Sequence, residues 1–379
     1  MITMLQLYDS LARIKKEFRP YDKSNVLLYV CGITPNNATH LGHAFTYVMF
    51  DTLIRYLKHR DYGVTYVQNA TDVNDSDDVI KQAKETGKTW TEISRLWIEH
   101  FHRQMDTLNV NRPDKYLLAS DFIDKIITIN EKLIEKGFAY EKNGNVYFDI
   151  SKFKDYGALS KYANEQMLVI SAERGNDPKD SNKKNPLDFV LWIAAEGKPH
   201  WKSPWGMGRP GWHIECSAMI EGALGERIDI HGGGRDLIFP HHESERAQTE
   251  SLTGKKPYVQ FWMHIGMVMF EGEKMSKSLG NLIIVEDLLK KYSPNQIRWL
   301  LLSHHYRHPW EYDEIEFSDQ CLVFREVTNK LQEENSGDWN KVIAYLEDDF
   351  NTPEALRYLA TECAGETLKK GLDLLGFEF

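Results

Sequence analysis

The sequence has few cysteines and no long apolar segment. Its 379 residues include only four cysteines, Cys31, Cys216, Cys321 and Cys363, and no two of them are close in the sequence. This pattern favours free or metal-bound thiols over the disulfide framework of a secreted protein. No run reaches the length of about 18 apolar residues that a membrane helix needs. The N-terminus also lacks the apolar core and cleavage site of a signal peptide. We therefore expect a cytoplasmic, monomeric protein that does not enter a membrane.

Basic residues are scarce towards the C-terminus. The net charge is −10, yet residues 309–379 contain 17 acidic and 6 basic residues, whereas residues 1–308 contain 39 acidic and 40 basic residues. A module that binds nucleic acid phosphates needs an excess of Lys and Arg. The charge distribution therefore argues against an RNA-reading domain in the last part of the chain.

The hydrophobic pattern predicts an α/β fold. Residues 26–34 have the continuous apolar, β-branched and aromatic content of a buried parallel strand. Residues 40–59 repeat apolar side chains at helical spacing, and residues 63–70 are typical of a second strand. A strand–helix–strand order of this kind predicts a doubly wound parallel sheet of the Rossmann type.

The pattern changes after residue 112. Residues 174–186 are rich in turn formers, and we expect them to form a mobile loop within an insertion. We expect the sheet to resume near Trp212 and to continue at residues 227–231 and 260–270, with helices beyond, including one over residues 353–376. The predicted organisation is a catalytic sheet domain in two halves (1–112 and 203–293), a connective insertion (113–202) and a C-terminal helical region (294–379).

The stretch THLGH, residues 39–43, predicts an anion site. It follows a parallel strand at the start of a helix, where backbone N–H groups are unpaired and the helix dipole favours negative charge. Gly42 allows close approach, and His40 and His43 can donate to phosphoryl oxygens. Taken alone, the two histidines are equally compatible with ordinary partly buried side chains.

Two further stretches are suited to a nucleotide. KMSKS, residues 274–278, places Lys274 and Lys277 beside small hydroxyls between flanking glycines, so it can close over a polyphosphate. A solvated basic turn is the plain alternative. IHGGGRD, residues 230–236, contains three glycines, which have no side chains to block the approach of a flat ring or a ribose. A lone glycine triplet can also be merely a tight turn.

A metal site is the fourth candidate. His241 and Glu245 are four residues apart at a predicted helix start and share a face, while Cys31 ends the first strand and Cys216 lies in GWHIECSA. Two thiolates, an imidazole and a carboxylate are a plausible tetrahedral zinc set. The separations are long, so spacing alone leaves each cysteine equally open to the role of a buried apolar thiol.

These stretches together resemble the class I aminoacyl-tRNA synthetases of the cysteinyl branch. HLGH stands where that family has HIGH, and KMSKS is intact; GRPGWHIECSAM, DIHGGGRDLIFPHHESERAQ, NPLDFVLW and DDFNTPEAL are also similar. The resemblance covers nearly the whole chain. It implies activation of cysteine by ATP with Mg²⁺, and a zinc ion that binds the substrate thiolate and rejects serine.

The resemblance also implies the site residues. The implied zinc ligands are Cys31, Cys216, His241 and Glu245. The implied cysteine pocket contains Thr34, Thr71, Trp212, His231 and Asp236. The implied ATP site contains the catalytic residues His40, His43, Lys274 and Lys277, together with Gly42, Gly232, Gly233, Gly234, His264, Met267, Val268 and Ser276.

A second resemblance concerns the acceptor of the cysteinyl group. THLGHAFTY, LYDSLARIKKEFRP, ISAERGNDP and LDLLGFEF are similar to the short cysteine ligases of mycothiol biosynthesis, which join cysteine to the amine of a glucosaminyl-inositol. Both families usually have Tyr-Asp where this chain has Asn36 and Asn37, which removes a carboxylate beside the pocket. Glu245, in contrast, matches the tRNA synthetases and is generally absent from the mycothiol ligases.

Three functions follow from these resemblances. The acidic tail and the chain length favour a cysteine ligase that acts on a small amine. The alternative is a compact cysteine–tRNA ligase that charges tRNA(Cys). A non-catalytic paralogue that binds ATP or cysteine is the third, and the intact motifs argue against it.

Overall fold

The computed structural model describes residues 4–73, 77–197, 199–275 and 279–379. The strands are β1 Gln6–Asp9, β2 Ile14–Glu17, β3 Asn25–Ile33, β4 Gly63–Ala70, β5 Lys115–Leu118, β6 Ala139–Lys142, β7 Asn145–Phe148, β8 Phe189–Ala194, β9 Trp201–Ser203, β10 Gly206–Pro210, β11 Ile228–Gly234, β12 Val259–Ile265, β13 Val268–Phe270, β14 Glu273–Lys274 and β15 Trp310–Glu311. The helices are α1 Leu41–His59, α2 Asp77–Thr86, α3 Trp90–Thr107, α4 Ile123–Glu135, α5 Asn164–Glu173, α6 Trp212–Leu224, α7 Glu243–Thr253, α8 Val285–Leu288, α9 Pro294–Leu302, α10 Glu314–Asn329, α11 Trp339–Glu347, α12 Thr352–Glu362 and α13 Gly365–Leu374.

The centre of the molecule is a parallel sheet with the strand order β12–β11–β3–β4–β5. Its middle strand β3 is buried along most of its length, as its apolar sequence predicts. From β3 the chain builds outward to β4 and β5, and later returns to the other side of β3 with β11 and β12. The strand order therefore reverses between β3 and β11, which is where open α/β sheets bind ligands, beyond the carboxyl ends of the strands. The α/β fold is confirmed.

Helix α1 crosses directly behind this switch point. The Nδ1 atom of His40 accepts a hydrogen bond from the Gly42 N–H at 3.1 Å and so caps the helix N-terminus. The sequence pattern predicts one apolar face, but most of the helix is buried. The reason is that α9 and α13 cover the side that faces away from the sheet. A single hydrophobic core consequently extends from the sheet into the C-terminal helices.

The insertion has its own antiparallel sheet, in the order β6–β7–β8–β10–β9, and its own apolar cluster with α4 and α6. This sheet extends to Pro210, past the predicted bound at residue 202, whereas β5, near the start of the predicted insertion, belongs to the central sheet. Trp212 does not resume the sheet as expected. It begins α6 instead, after Gly211 in an extended conformation, and the parallel sheet resumes only at Ile228. This difference matters for the site, because it places Cys216 on a helix whose N-terminal part approaches the end of β3.

Two predicted elements are broken in the structure. The strand predicted over residues 260–270 divides at Gly266, whose N–H donates to the Tyr306 carbonyl; a Cβ at Gly266 would lie 2.2 Å from the His308 oxygen. Its second part, β13, joins β14 and β15 in a separate small sheet. The helix predicted over residues 353–376 divides at Cys363 and Ala364, which are extended. Within the described residues, no helix combines the length and apolarity needed to span a bilayer.

A buried arginine fastens the C-terminal helices to the sheet domain. Arg298 on α9 pairs with Asp51 on α1, and it donates to the carbonyls of Leu108 and Leu375 at 2.9 and 2.7 Å. Asp51 also pairs with Arg55 at 2.8 Å. One guanidinium thus joins three segments that are distant in the sequence.

Candidate active site

A cavity of about 420 Å³ opens at the carboxyl ends of β3 and β11. Both halves of the sheet domain and the insertion contribute to its wall. The predicted site residues that line it are Cys31, Thr34, His40, Gly42, His43, Thr71, Trp212, Cys216, Gly234, Asp236, His241, Met267 and Val268. The predicted residues that lie within the described chain but off this wall are His231, Gly232, Gly233, Glu245, His264 and Lys274. Ser276 and Lys277 lie outside the described residues.

Four candidate metal ligands converge at the inner end of the cavity. The Cys31 and Cys216 sulfurs are 3.9 Å apart, and Oε1 of Glu245 lies 3.8 Å from the Cys31 sulfur and 3.0 Å from Nε2 of His241. All four ligand atoms lie within 4.8 Å of one another. Zinc bonds of about 2.0–2.3 Å in a tetrahedron require similar separations. The donor set therefore fits a zinc ion.

The local folding of each segment explains this convergence. Cys31 lies near the end of β3, Cys216 in the second turn of α6, His241 in the tight turn before α7, and Glu245 in the first turn of α7. All four side chains are buried, and burial is the main cause that raises the pKa of both thiols and of Glu245. A bound cation would provide the charge that such a group of ionised ligands requires.

Two more histidines pack behind the four ligands. Nε2 of His231 hydrogen-bonds Oε2 of Glu245 at 2.9 Å, and Nε2 of His242 lies 3.3 Å from the Cys31 sulfur. His231 is thus placed to orient a metal ligand, whereas we predicted that it contacts the substrate. Cys31, His231, His242 and Glu245 also satisfy the spacing of a metal group, which overlaps the first.

The structure separates His264 from the cavity. Its Nε2 atom hydrogen-bonds Nδ1 of His242 at 2.8 Å, and its Nδ1 atom hydrogen-bonds Oγ of Ser10 at 2.8 Å. The predicted position near an adenine ring is therefore not on the described cavity wall. Met267 and Val268, three and four residues later, do line it.

Two side chains near the candidate ligands were missed by the sequence interpretation. Nδ2 of Asn69 donates to the Cys216 sulfur at 3.6 Å, and the Nδ1 atoms of His213 and His241 are 3.0 Å apart. Trp212, which was predicted for the cysteine pocket, stacks on His241 with ring centroids 4.4 Å apart. Asn69 carried one signal, because it is a polar residue near the carboxyl end of an apolar strand. His213 carried none beyond its position next to Trp212.

The two histidines of THLGH form a stacked pair, with ring centroids 3.8 Å apart. Burial lowers the pKa of His40 to about 4, and burial followed by the charge of His40 lowers the pKa of His43 further. Both rings are therefore neutral at pH 7. Since Nδ1 of His40 accepts a hydrogen bond, its proton is on Nε2, and His40 can act as a neutral donor.

Two of the three glycines in the triplet are required by close packing against neighbouring side chains. A Cβ at Gly232 would lie 2.1 Å from the Phe50 ring, and a Cβ at Gly233 would lie 2.9 Å from the Leu237 side chain. Only Gly234 lines the cavity. The predicted ATP contact of the triplet is thus limited to its last residue in this structure.

Lys274 and Met275 are the described part of the KMSKS segment. Lys274 lies on β14 and is exposed, while Met275 is buried against the cavity. Asn36 and Asn37 also line the cavity, as does Arg174, which the sequence interpretation did not select as a site residue. Nη2 of Arg174 lies 2.8 Å from Oδ2 of Asp236.

Comparison with known proteins gives a consistent result. The family model described as the tRNA synthetases class I (C) catalytic domain matches residues 17–321. A cysteine–tRNA ligase of Thermococcus onnurineus is 44% identical over 93% of this chain and 78% of its own length. A cysteine–tRNA ligase of Methanococcus maripaludis is 43% identical over 99% of this chain and 84% of its own.

Among solved structures, methionyl-tRNA synthetase of Mycobacterium tuberculosis in complex with methionyl-adenylate superposes with a TM-score of 0.63. The alignment covers 91% of this chain and 82% of that one, at 16% sequence identity. At this identity the likeness concerns the fold alone.

Proposed function

This chain belongs to the class I (C) tRNA synthetase catalytic-domain family, a family of ligases, and on that premise we propose that it activates L-cysteine with ATP and transfers the cysteinyl group to tRNA(Cys). The observation that supports cysteine as substrate is the group of Cys31, Cys216, His241 and Glu245 at the inner end of the cavity. The names of the relatives support tRNA as acceptor.

A zinc ion held by the four ligands would bind the thiolate of the substrate and discriminate against the hydroxyl of serine, because thiolate is the better ligand for zinc. The protein contributes the orientation of this contact. Trp212 stacks on His241, His231 holds Glu245, and Asn69 donates to Cys216. Such hydrogen bonds behind the ligands fix their geometry.

The opposite end of the cavity is suited to phosphate. In the proposed reaction, a carboxylate oxygen of cysteine attacks the α-phosphorus of Mg²⁺-bound ATP; the bond to the bridging oxygen breaks, and pyrophosphate leaves. His40 and His43 supply neutral donors at the start of α1, where the helix dipole also favours the developing charge. Lys274 and Lys277 would supply positive charge to the leaving group. Catalysis on this proposal relies on positioning and electrostatics, without a protein nucleophile.

In the second step, a ribose hydroxyl at the 3′ end of tRNA would attack the carbonyl carbon of the adenylate, and AMP would leave. The comparisons favour this acceptor over the small amine that the sequence interpretation put first. The amine remains a useful arm of the test, because both acceptors would use the same adenylate.

The experiment is cysteine- and ATP-dependent AMP release, measured in parallel with total tRNA and with glucosaminyl-inositol. We expect turnover with tRNA, none with the aminosugar, and none when serine replaces cysteine. Turnover with the aminosugar alone would overturn the tRNA assignment and leave cysteine activation intact. Binding of ATP and cysteine without pyrophosphate formation would indicate a non-catalytic paralogue.

A further inference from the structure

The charged side chains of the cavity wall neutralise each other. Asp236 is the one carboxylate, and Arg174 the one guanidinium, among the described residues that line the cavity. They form an ion pair at 2.8 Å, in which the side chains are 35% and 27% exposed. The pair is therefore reachable from the cavity and is not sealed in the core.

The two partners come from different parts of the fold. Arg174 immediately follows α5 in the insertion, whereas Asp236 lies in a short turn directly after β11 of the central sheet. Asp236 is thus held next to the sheet, and Arg174 reaches it from the insertion on a long side chain. Of the two, Arg174 is the partner with more freedom to move.

The pair shares the cavity wall with both groups of candidate site residues. Cys31, Cys216 and His241 of the candidate metal group line this wall, and so do His40 and His43 at the start of α1. A ligand that extends from the candidate metal group towards α1 therefore meets Asp236 as the one carboxylate of the described wall.

This arrangement has a consequence for cysteine, which carries a thiol, an ammonium and a carboxylate. With the thiol at the metal ligands, the ammonium needs an anionic partner in the middle of the cavity, and Asp236 is the one that the described wall offers. That carboxylate is already occupied. We propose that Arg174 is a displaceable counter-ion, which holds the ammonium subsite until the ammonium of the substrate replaces it at Asp236.

The inference rests on the proposed function and adds a positioning residue to it. It requires that a ligand displaces Arg174 only if it carries an ammonium. A purely structural ion pair between insertion and sheet would instead respond in the same way to every ligand. Two fragments of cysteine separate these cases: cysteamine has the thiol and ammonium, and 3-mercaptopropionate has the thiol and carboxylate.

The test is the dissociation constant of cysteine, cysteamine and 3-mercaptopropionate, measured calorimetrically on the zinc-loaded full chain and on Arg174→Gln and Arg174→Lys. We expect Arg174→Gln to bind cysteine and cysteamine about threefold more tightly, in line with the modest strength of a partly exposed ion pair. Binding of 3-mercaptopropionate should not change. Arg174→Lys, which retains the charge, should lie closer to the wild type.

Asp236→Asn is the matched control. It should weaken the binding of cysteamine and leave the binding of 3-mercaptopropionate unchanged. Provided that the wild type binds cysteine, three results for Arg174→Gln would overturn the inference and leave the proposed function intact. These are an equal change in the dissociation constants of all three ligands, no change in any of them, and weaker binding of cysteine and cysteamine. Failure of the wild type to bind cysteine would overturn the proposed function, and the inference with it. If Arg174→Gln does not fold, the same comparison on Arg174→Lys decides, with a smaller shift expected in the same direction.

Discussion

The side chains of the candidate metal ligands are held by neighbouring polar groups. Each carboxylate oxygen of Glu245 has a different histidine partner, His231 on Oε2 and His241 on Oε1. Cys31 and Cys216 are reached by His242 and Asn69, respectively. Because the neighbours are fixed in this way, removal of one ligand leaves the others in place but incomplete.

We predict that Cys216→Ser loses zinc and cysteine activation together, because a hydroxyl is a poor replacement for a thiolate ligand. Zinc content measured by mass spectrometry and cysteine-dependent pyrophosphate exchange check this result. Cys321→Ser, which changes a thiol outside the cavity, is the control. Retention of zinc with normal affinity for cysteine in Cys216→Ser would contradict the ligand assignment.

A second prediction at this scale concerns Lys277. Lys277→Ala should slow adenylation by about 100-fold, the usual size for loss of one electrostatic contact to a transition state, with little change in cysteine binding. Rapid-quench measurement of adenylate formation separates the two quantities. An unchanged rate would show that the lysine does not act on the phosphates.

The sequence alone could group the four candidate metal ligands only in part. His241 and Glu245 are related by helical spacing, but Cys31 and Cys216 are 185 residues apart, and only the family resemblance grouped them. Arg174, His213 and Asn69 escaped selection because their roles depend on what the fold places opposite them. The location of His231 off the cavity wall was not foreseen for the same reason: its position in the strand is clear from the sequence, but the face that it occupies is not.

Helix α1 shows how an element and a candidate catalytic group depend on each other. His40 is both the N-cap of the helix and a wall residue of the cavity. A folded-state pKa of about 4, against an ordinary histidine pKa of 6.5, means that the unfolded chain binds a proton at His40 in a pH range where the folded chain does not. The contribution of His40 to stability is therefore complete above pH 6.5 and decreases as the pH falls towards 4.

We predict that His40→Asn gains stability relative to the wild type as the pH falls from 7 to 5, by about 1–2 kcal/mol. The side-chain oxygen of Asn can replace Nδ1 of His40 as the capping acceptor and does not titrate, so loss of the cap is avoided. Urea unfolding of both proteins at pH 5, 6 and 7 measures the difference. A difference that is constant with pH would contradict the lowered pKa.

At the scale of elements, the local sequence predicts strands and helices well where one pattern dominates. The strand predicted at residues 63–70 is β4, Gly63–Ala70, because it is buried and lies between clear turns. The prediction failed at Trp212 and at Cys363, where apolar residues continue across a change of direction. In both places a glycine lies at the start of the next helix: Gly211 directly precedes α6, and Gly365 is the first residue of α13.

The molecule as a whole depends on contacts that no local pattern reveals. Arg298 is buried on α9 and satisfied by groups from α1, from the segment after α3 and from the end of α13. A sequence window around residue 298 shows only a charged residue in an apolar helix. Its role is to join the C-terminal helices to the sheet domain.

We predict that Arg298→Met lowers the free energy of unfolding by about 3–5 kcal/mol, because it leaves the buried Asp51 with one fewer cationic partner. Equilibrium unfolding in urea measures this loss. Arg357→Ala, which breaks an exposed pair with Glu354, should leave the free energy of unfolding almost unchanged and serves as the control. An effect of Arg298→Met no larger than the control would contradict the anchoring role. The double variant Asp51→Asn with Arg298→Met should recover part of the loss.

The contact between Gly232 and the Phe50 ring has a consequence for the history of the chain. No side chain fits at position 232 while a phenyl ring occupies the space beneath it, since a Cβ there would lie 2.1 Å from the ring. The two positions therefore evolve as a unit, and we expect them to covary among homologous sequences. A homologue with alanine or serine at the position of Gly232 should carry a smaller residue in place of Phe50. If this glycine is invariant, the packing of α1 against the sheet is a sufficient reason, even though the motif borders a binding site.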